Sequence, residues 1–211
     1  MKSDALKKLE KTPCFTKAAL KQLHKGSALS LDKDIQNWLK KGTLVQLKRG
    51  LYTLQNFIYK EKNLELFTEY VANKLAQPSY VSCEYIMQKY GLLTEAIFGI
   101  TSVTLKSSRG FQNKVGSFKF YSISEQLFGG YISRPYGDNV ILEATKAKAF
   151  FDYIYLRQYM FKNFARNEVD ELRINFEELT KKDWRELKKY FKLCNGKKPL
   201  EIFDCLQRYS R

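Results

Sequence analysis

The sequence predicts an α+β protein in two parts: three short helices and a β-hairpin over residues 1–60, then a larger, helix-rich α+β segment over 61–211. Three observations predict it. Apolar residues recur at spacings of three and four up to residue 41, and two alternating apolar runs flank Lys48-Arg49-Gly50. Beyond a charged connection at Tyr59-Lys60-Glu61-Lys62-Asn63, strand-like and helix-like periods are mixed.

In the first part, a helix from Ser3 to Lys11 stops before Pro13, because the residue preceding proline is pushed out of the α region. Thr16 is an N-cap for Lys17–His24, and Lys25-Gly26 ends that helix. A third helix is expected from Leu31 to Lys41, closed by Gly42, with Leu31, Ile35, Trp38 and Leu39 as its buried stripe. Leu44–Leu47 and Leu51–Leu54 then pair as a hairpin. Three helices followed by a hairpin is the order of a winged helix-turn-helix.

In the second part, Leu64–Ala76 is a helix, and Ser82 caps another over Cys83–Tyr90. Ile100–Lys106 and Val115–Ile123 are rich in β-branched and aromatic residues and read as paired strands joined by a polar stretch around Gly110. Tyr131–Ser133 and Val140–Leu142 are shorter strands. Residues from Ala144 to about Phe161 are apolar on nearly every face, which predicts a central buried helix. Three amphipathic helices follow, marked by Val169 to Leu179, Trp184 to Cys194 and Leu200 to Leu206.

Charge points to a polyanionic partner. Thirty-seven Lys and Arg against 22 Asp and Glu leave a net charge of +15. Residues 1–60 hold 13 of the basic and 4 of the acidic side chains, so the density is highest there. In a helix-turn-helix the second helix of the motif enters the major groove while the first crosses the backbone. Gln36 and Asn37 suit paired hydrogen bonds to adenine, and Lys33 and Lys40 flank them. Thr16, Lys17 and Lys21 face the backbone, and Lys48 and Arg49 at the hairpin tip meet phosphate or minor groove. Double-stranded DNA is the expected partner.

Other chemistries find little support. Cys14, Cys83, Cys194 and Cys205 are scattered with no CxxC pair, and His24 is the sole histidine, so a zinc ligand set is almost empty. Scattered thiols, the absence of an apolar leader after Met1 and the lack of any run of membrane-spanning length predict a cytoplasmic protein. His24 reads as a charge at the end of a helix dipole or as plain surface. Asp152 and Arg157, in the most apolar helix, call for structural partners. Asp138, Glu143 and Lys146 surround a strand as in a metal-dependent nuclease, but two residues rather than one separate Glu143 from Lys146. No cofactor and no enzymatic activity are expected.

The run Leu39-Lys40-Lys41-Gly42-Thr43-Leu44-Val45-Gln46-Leu47-Lys48-Arg49-Gly50-Leu51-Tyr52 resembles the wing of AbiEi-type antitoxins of abortive-infection, type IV toxin–antitoxin systems. The resemblance continues through Pro78-Ser79-Tyr80-Val81-Ser82-Cys83-Glu84, Tyr90-Gly91-Leu92, Ile100–Thr104, Gly116-Ser117-Phe118 and Ala147–Asp152, covering residues 15–160. Phe150-Phe151 stands where that family commonly has smaller aliphatic residues, and the last fifty residues match only as a helical pattern. The resemblance implies a repressor that binds repeats in its own promoter, with a C-terminal domain that counters a nucleotidyltransferase-like toxin. A stand-alone regulator, or a protein–protein adaptor that uses the same N-terminal motif, are the other readings.

Overall fold

The computed structural model describes residues 4–210, so the expected start of the first helix at Ser3 lies outside them. The chain divides into two compact units. The first runs through Val71 and takes in Phe111–Ser117; the second comprises Ala72–Gly110 and Phe118–Arg211. The expected boundary near residue 60 therefore lies earlier than the observed one. Phe67 and Val71 are fully buried, and the Phe57 ring meets that of Phe67 at a tilt (5.3 Å, 48°), which ties the chain beyond the hairpin to the first unit.

The first unit contains α1 (Asp4–Lys8), β1 (Phe15–Thr16), α2 (Lys17–Leu23), α3 (Ala28–Lys40), β2 (Leu44–Lys48), β3 (Leu51–Leu54) and α4 (Gln55–Lys60). Its sheet has the order β1-β3-β2, with both pairings antiparallel. The core gathers Leu6, Leu9, Phe15, Leu20, Leu31, Ile35, Leu44, Tyr52 and Leu54. The expected α3 stripe is the observed one: Leu31 and Ile35 are buried, and Trp38 and Leu39 pack partly against the same cluster. Burying side chains of this size stabilises the unit by about 1.5–3 kcal/mol each. The helix starts three residues earlier than its apolar stripe suggested, because the Ser27 hydroxyl accepts from the Ser30 N–H (3.2 Å) and completes a first turn. Strand β1 and helix α4 carried no sequence signal of their own. Helix α1 is shorter than expected and passes into turns through Leu9 and Glu10.

The chain continues with α5 (Leu64–Leu75), β4 (Ser79–Val81), α6 (Cys83–Lys89), β5 (Ile100–Thr104), β6 (Arg109–Gln112), β7 (Ser117–Ser122), β8 (Tyr131–Tyr136), β9 (Asn139–Ala144), α7 (Lys146–Leu156), α8 (Arg166–Asp170), α9 (Lys181–Leu193) and α10 (Lys198–Tyr209). The second sheet is mixed, in the order β6-β7-β5-β4-β9-β8. Strands β5 and β7 pair in parallel, from Ile100↔Phe118 to Thr104↔Ser122. A parallel pair needs a crossover rather than a tight turn, and the polar stretch around Gly110 supplies it while forming edge strand β6. Helix α7 is the expected buried centre, with an unbroken buried run from Ala147 to Ile154, but it is shorter than the expected 144–161. Ala144 closes β9, and the helix ends at Leu156 before a 3₁₀ turn at Gln158–Met160. It packs against α6 and α9.

Two expectations fail here for identifiable reasons. The region Val169–Leu179 is not one helix but short α8 and a 3₁₀ turn at Phe176–Glu178. Arg173 takes a left-handed φ of 51°, and the chain then bridges Ile174 to Leu93 and donates from Asn175 N–H to the Leu92 carbonyl (2.9 Å). Long-range backbone bonds displace the local helix. The Ser82 side chain also does not cap α6: its hydroxyl donates instead to Asp152 Oδ2 at 2.7 Å. A buried carboxylate binds a hydroxyl more strongly than an orphan backbone N–H does.

Candidate nucleic-acid interface

On α3 the buried stripe dictates what lies opposite. Lys33, Gln36, Asn37 and Lys40 fall at relative positions 0, 3, 4 and 7, so they share one helix face, and all four are exposed. The two acidic residues of α3 are held by cations or rings of the preceding segment. Lys17 Nζ pairs with Asp32 Oδ1 at 2.5 Å, and His24 Nε2 meets Asp34 Oδ2 at 2.9 Å. The outer stripe therefore presents two lysines and two amides with its neighbouring carboxylates already matched.

His24 corrects the sequence reading. Its Nδ1 accepts from the Gly26 N–H at 3.0 Å, which leaves Nε2 to carry the proton toward Asp34. The ring clamps the turn between α2 and α3 rather than serving as a dipole charge at the end of α2. Thr16 is the N-cap of α2, accepting from the Ala19 N–H at 3.2 Å, and Lys21 is exposed one turn after Lys17.

The hairpin is irregular where its charge lies. The β2–β3 register shifts between Gln46 and Lys48, a bulge that adds twist just before the tip. Gly50 at φ 78° makes the turn, a conformation that side chains with a Cβ rarely adopt. The Gly50 carbonyl accepts from the Lys17 N–H at 2.9 Å. This main-chain bond extends the β1–β3 pairing at Thr16↔Leu51 and fixes the hairpin tip to the start of α2, bringing Arg49, which is exposed, next to the Thr16–Lys17 corner. Lys48 is half-buried and engaged.

The sequence marks Val115–Ile123 as a strand but gives no sign that residues 111–117 lie beside the hairpin. Asn113 Nδ2 donates to the Leu47 carbonyl at 3.0 Å, and its Oδ1 accepts from the Val115 N–H at 2.8 Å. This turn and β2 enclose a shallow groove of about 550 Å³ whose rim includes Lys48, Arg49 and Lys114. Lys114 is exposed and joins the basic residues of the hairpin. Nothing local marks it, because its partner strand lies more than sixty residues earlier in the chain.

The other flagged residues are structural in geometry. Asp152, fully buried, accepts from Tyr80 Oη (3.0 Å), Ser82 Oγ and Lys148 Nζ. Lys148 is itself fully buried between the rings of Phe151, Tyr190 and Tyr80, at 4.8, 5.3 and 5.6 Å from their centroids. Burial pushes the Asp152 carboxyl above the usual range, against the opposing pull of Lys148 and the two hydroxyls. Arg157 pairs with Glu84 and covers the Tyr153 ring at 3.9 Å. Glu143 is held by Lys89 (3.0 Å) and Arg134 (3.1 Å), while Lys146 turns to Asp183 (3.0 Å). Asp138 sits in the β8–β9 turn, roughly 16 Å along the strand from Glu143 at a strand rise of about 3.3 Å per residue. These two carboxylates cannot share a metal ion.

The chain matches no protein-family model, and no curated protein matches its sequence. Among the described residues, no helix is long and apolar enough to cross a membrane.

Proposed function

We propose that the first unit is a winged-helix module that binds double-stranded DNA, and that the chain is a transcriptional repressor rather than an enzyme. The observation that carries this reading is the exposed Lys33-Gln36-Asn37-Lys40 face of α3, in a unit whose hairpin tip is pinned to α2 by the Lys17–Gly50 bond. The α3 face supplies base-edge donors and acceptors, and Arg49 and Lys21 supply phosphate contacts. Lys17 and Thr16 take a positioning role, since their side chains are engaged with Asp32 and the α2 cap. The resemblance of residues 39–52 and of the later motifs to AbiEi-type antitoxins extends the reading. On it, the protein binds repeats in its own promoter, and its second unit counters a nucleotidyltransferase-like toxin in the cytoplasm.

The test is a gel-shift series of the full chain against its own upstream DNA, with a Lys33→Ala, Gln36→Ala, Arg49→Ala variant, across salt. Specific binding that weakens about linearly in log salt, and falls by at least about 100-fold in the variant, supports the assignment. Absence of specific binding by the wild type, or equal binding by a folded variant, rejects it in favour of a protein-docking role for the same face.

A further inference from the structure

The second unit carries a basic, aromatic-walled cleft of its own. Helix α9 bears Lys181, Lys182, Arg185, Lys188, Lys189 and Lys192, all exposed, and Lys197 and Lys198 follow at the N-cap and first residue of α10. Its two acidic residues are committed elsewhere. Asp183 accepts from Thr180 at the helix cap (2.8 Å to the N–H) and pairs with Lys146, whereas Glu186 accepts from Thr145 (2.6 Å) and Tyr190 (2.8 Å). Lys181, Arg185, Lys188 and Lys192 follow one another at spacings of four, three and four, a single row about 16 Å long at 1.5 Å per residue.

Beside this row, α9, α10 and the 3₁₀ turn at Phe176–Glu178 enclose an open cleft of about 510 Å³. Lys181, Arg185 and Lys188 stand on its rim, with Glu177 as the acidic residue among those lining it. Its wall is aromatic: Trp184 lies nearly parallel to Phe176 (6.3 Å, 15°) and meets Phe203 edge-on at 6.0 Å. Trp184 and Phe176 are only partly buried, so ring surface remains in the cleft.

We propose that this cleft binds single-stranded nucleic acid, with the α9 row on the phosphates and Trp184 against an unstacked base. A row of cations alone suits any polyanion. The aromatic wall between helices selects a strand whose bases are free to leave the stack, because a duplex keeps its base faces covered. Phosphate tracking beside ring stacking is the combination that binds single strands with little sequence preference. This site is separate from the α3 face and does not rest on the repressor reading.

The chain has two tryptophans, Trp38 and Trp184, so a Trp38→Phe variant makes Trp184 the sole reporter. Where that variant fails to fold, the difference between wild type and Trp184→Phe gives the same signal. A single strand of about twelve nucleotides, DNA or RNA, is expected to quench Trp184 and to bind with a log–log salt slope of about −2 to −3. Arg185→Gln, Lys188→Gln, both exposed positions, is expected to weaken binding about tenfold or more and to shrink the slope by about 1. Binding without quenching, binding undiminished in that variant, or equal quenching by a duplex or by a mononucleotide overturns the proposal. The Lys33→Ala, Gln36→Ala, Arg49→Ala variant serves as the cross-check. It should weaken duplex binding and leave the single strand bound, so that loss at one site is never mistaken for loss at the other.

Discussion

Helices α3 and α7 use similar side chains to opposite ends. Each is three to four turns long, carries lysine and aspartate, and contributes apolar residues to its unit's core. In α3 the polar residues stay at the surface, where Asp32 and Asp34 are matched by Lys17 and His24 and the Lys33-Gln36-Asn37-Lys40 face is left to solvent. In α7 the Lys148–Asp152 pair lies inside, ringed by Tyr80, Ser82, Phe151 and Tyr190. A charge that water still reaches costs folding little and remains open to a partner. A charge from which water has been excluded holds only while every donor around it is in place. Helix α3 is therefore built to be altered at its surface without unfolding, whereas α7 depends on its interior polar group.

The largest effect expected from this contrast is at Asp152. Asp152→Ala leaves the Lys148 ammonium buried without its carboxylate and should cost about 3–5 kcal/mol in urea unfolding. Replacing both partners, Lys148→Met with Asp152→Leu, should recover most of that loss. A cost for Asp152→Ala below about 1 kcal/mol would show that the pair is not a determinant of stability. Next comes the α3 and hairpin variant Lys33→Ala, Gln36→Ala, Arg49→Ala, whose melting temperature should fall by no more than about 5 °C, since exposed substitutions rarely cost more than about 0.5 kcal/mol each. A large drop in its melting temperature would erase the contrast between the two helices.

A smaller effect is expected at the corner where both roles meet. Thr16→Ala removes the α2 cap and should cost about 1 kcal/mol of stability, with Thr16→Ser restoring it. The smallest is a change in pH dependence. Glu168 accepts from the backbone N–H groups of Asn163, Lys162 and Ala165 at 2.9, 2.9 and 3.2 Å, which holds its carboxyl below the ordinary 4.5. Its contribution is thus complete above that value and lost as pH falls through the lowered one. Melting curves over about pH 2.5–6 should show the wild type's advantage over Glu168→Gln shrinking toward the acid end. An advantage constant across that range would contradict the assignment.

Much of the first unit was legible because its signals are local. The Leu31-Ile35-Trp38-Leu39 spacing named the buried face of α3 and, by exclusion, the exposed one. Gly50 between two apolar runs located the hairpin turn. The central burial of α7 followed from an apolar surface that no amphipathic helix could leave in water. The parts that could not be read depend on neighbours far away in sequence. Ser82 had a good local use as a cap and lost it to Asp152, seventy residues on. The segment Val169–Leu179 had a helical pattern and lost it to backbone bonds with Leu92 and Leu93. Lys114 and Asn113 became part of the hairpin region through the Leu47 carbonyl, and the α9 row acquired its aromatic wall from Phe176 and Phe203.

The sequence by itself determined the α+β class, the buried stripe of α3 with its polar opposite face, the hairpin and the central apolar helix, because periodicity and glycine conformation act within a few residues. Tertiary structure alone decided which charges are consumed. Whether a lysine or a carboxylate is open to a partner depends on what lies within hydrogen-bonding reach and on whether water is excluded there. Both are set by chain segments that the local pattern does not identify.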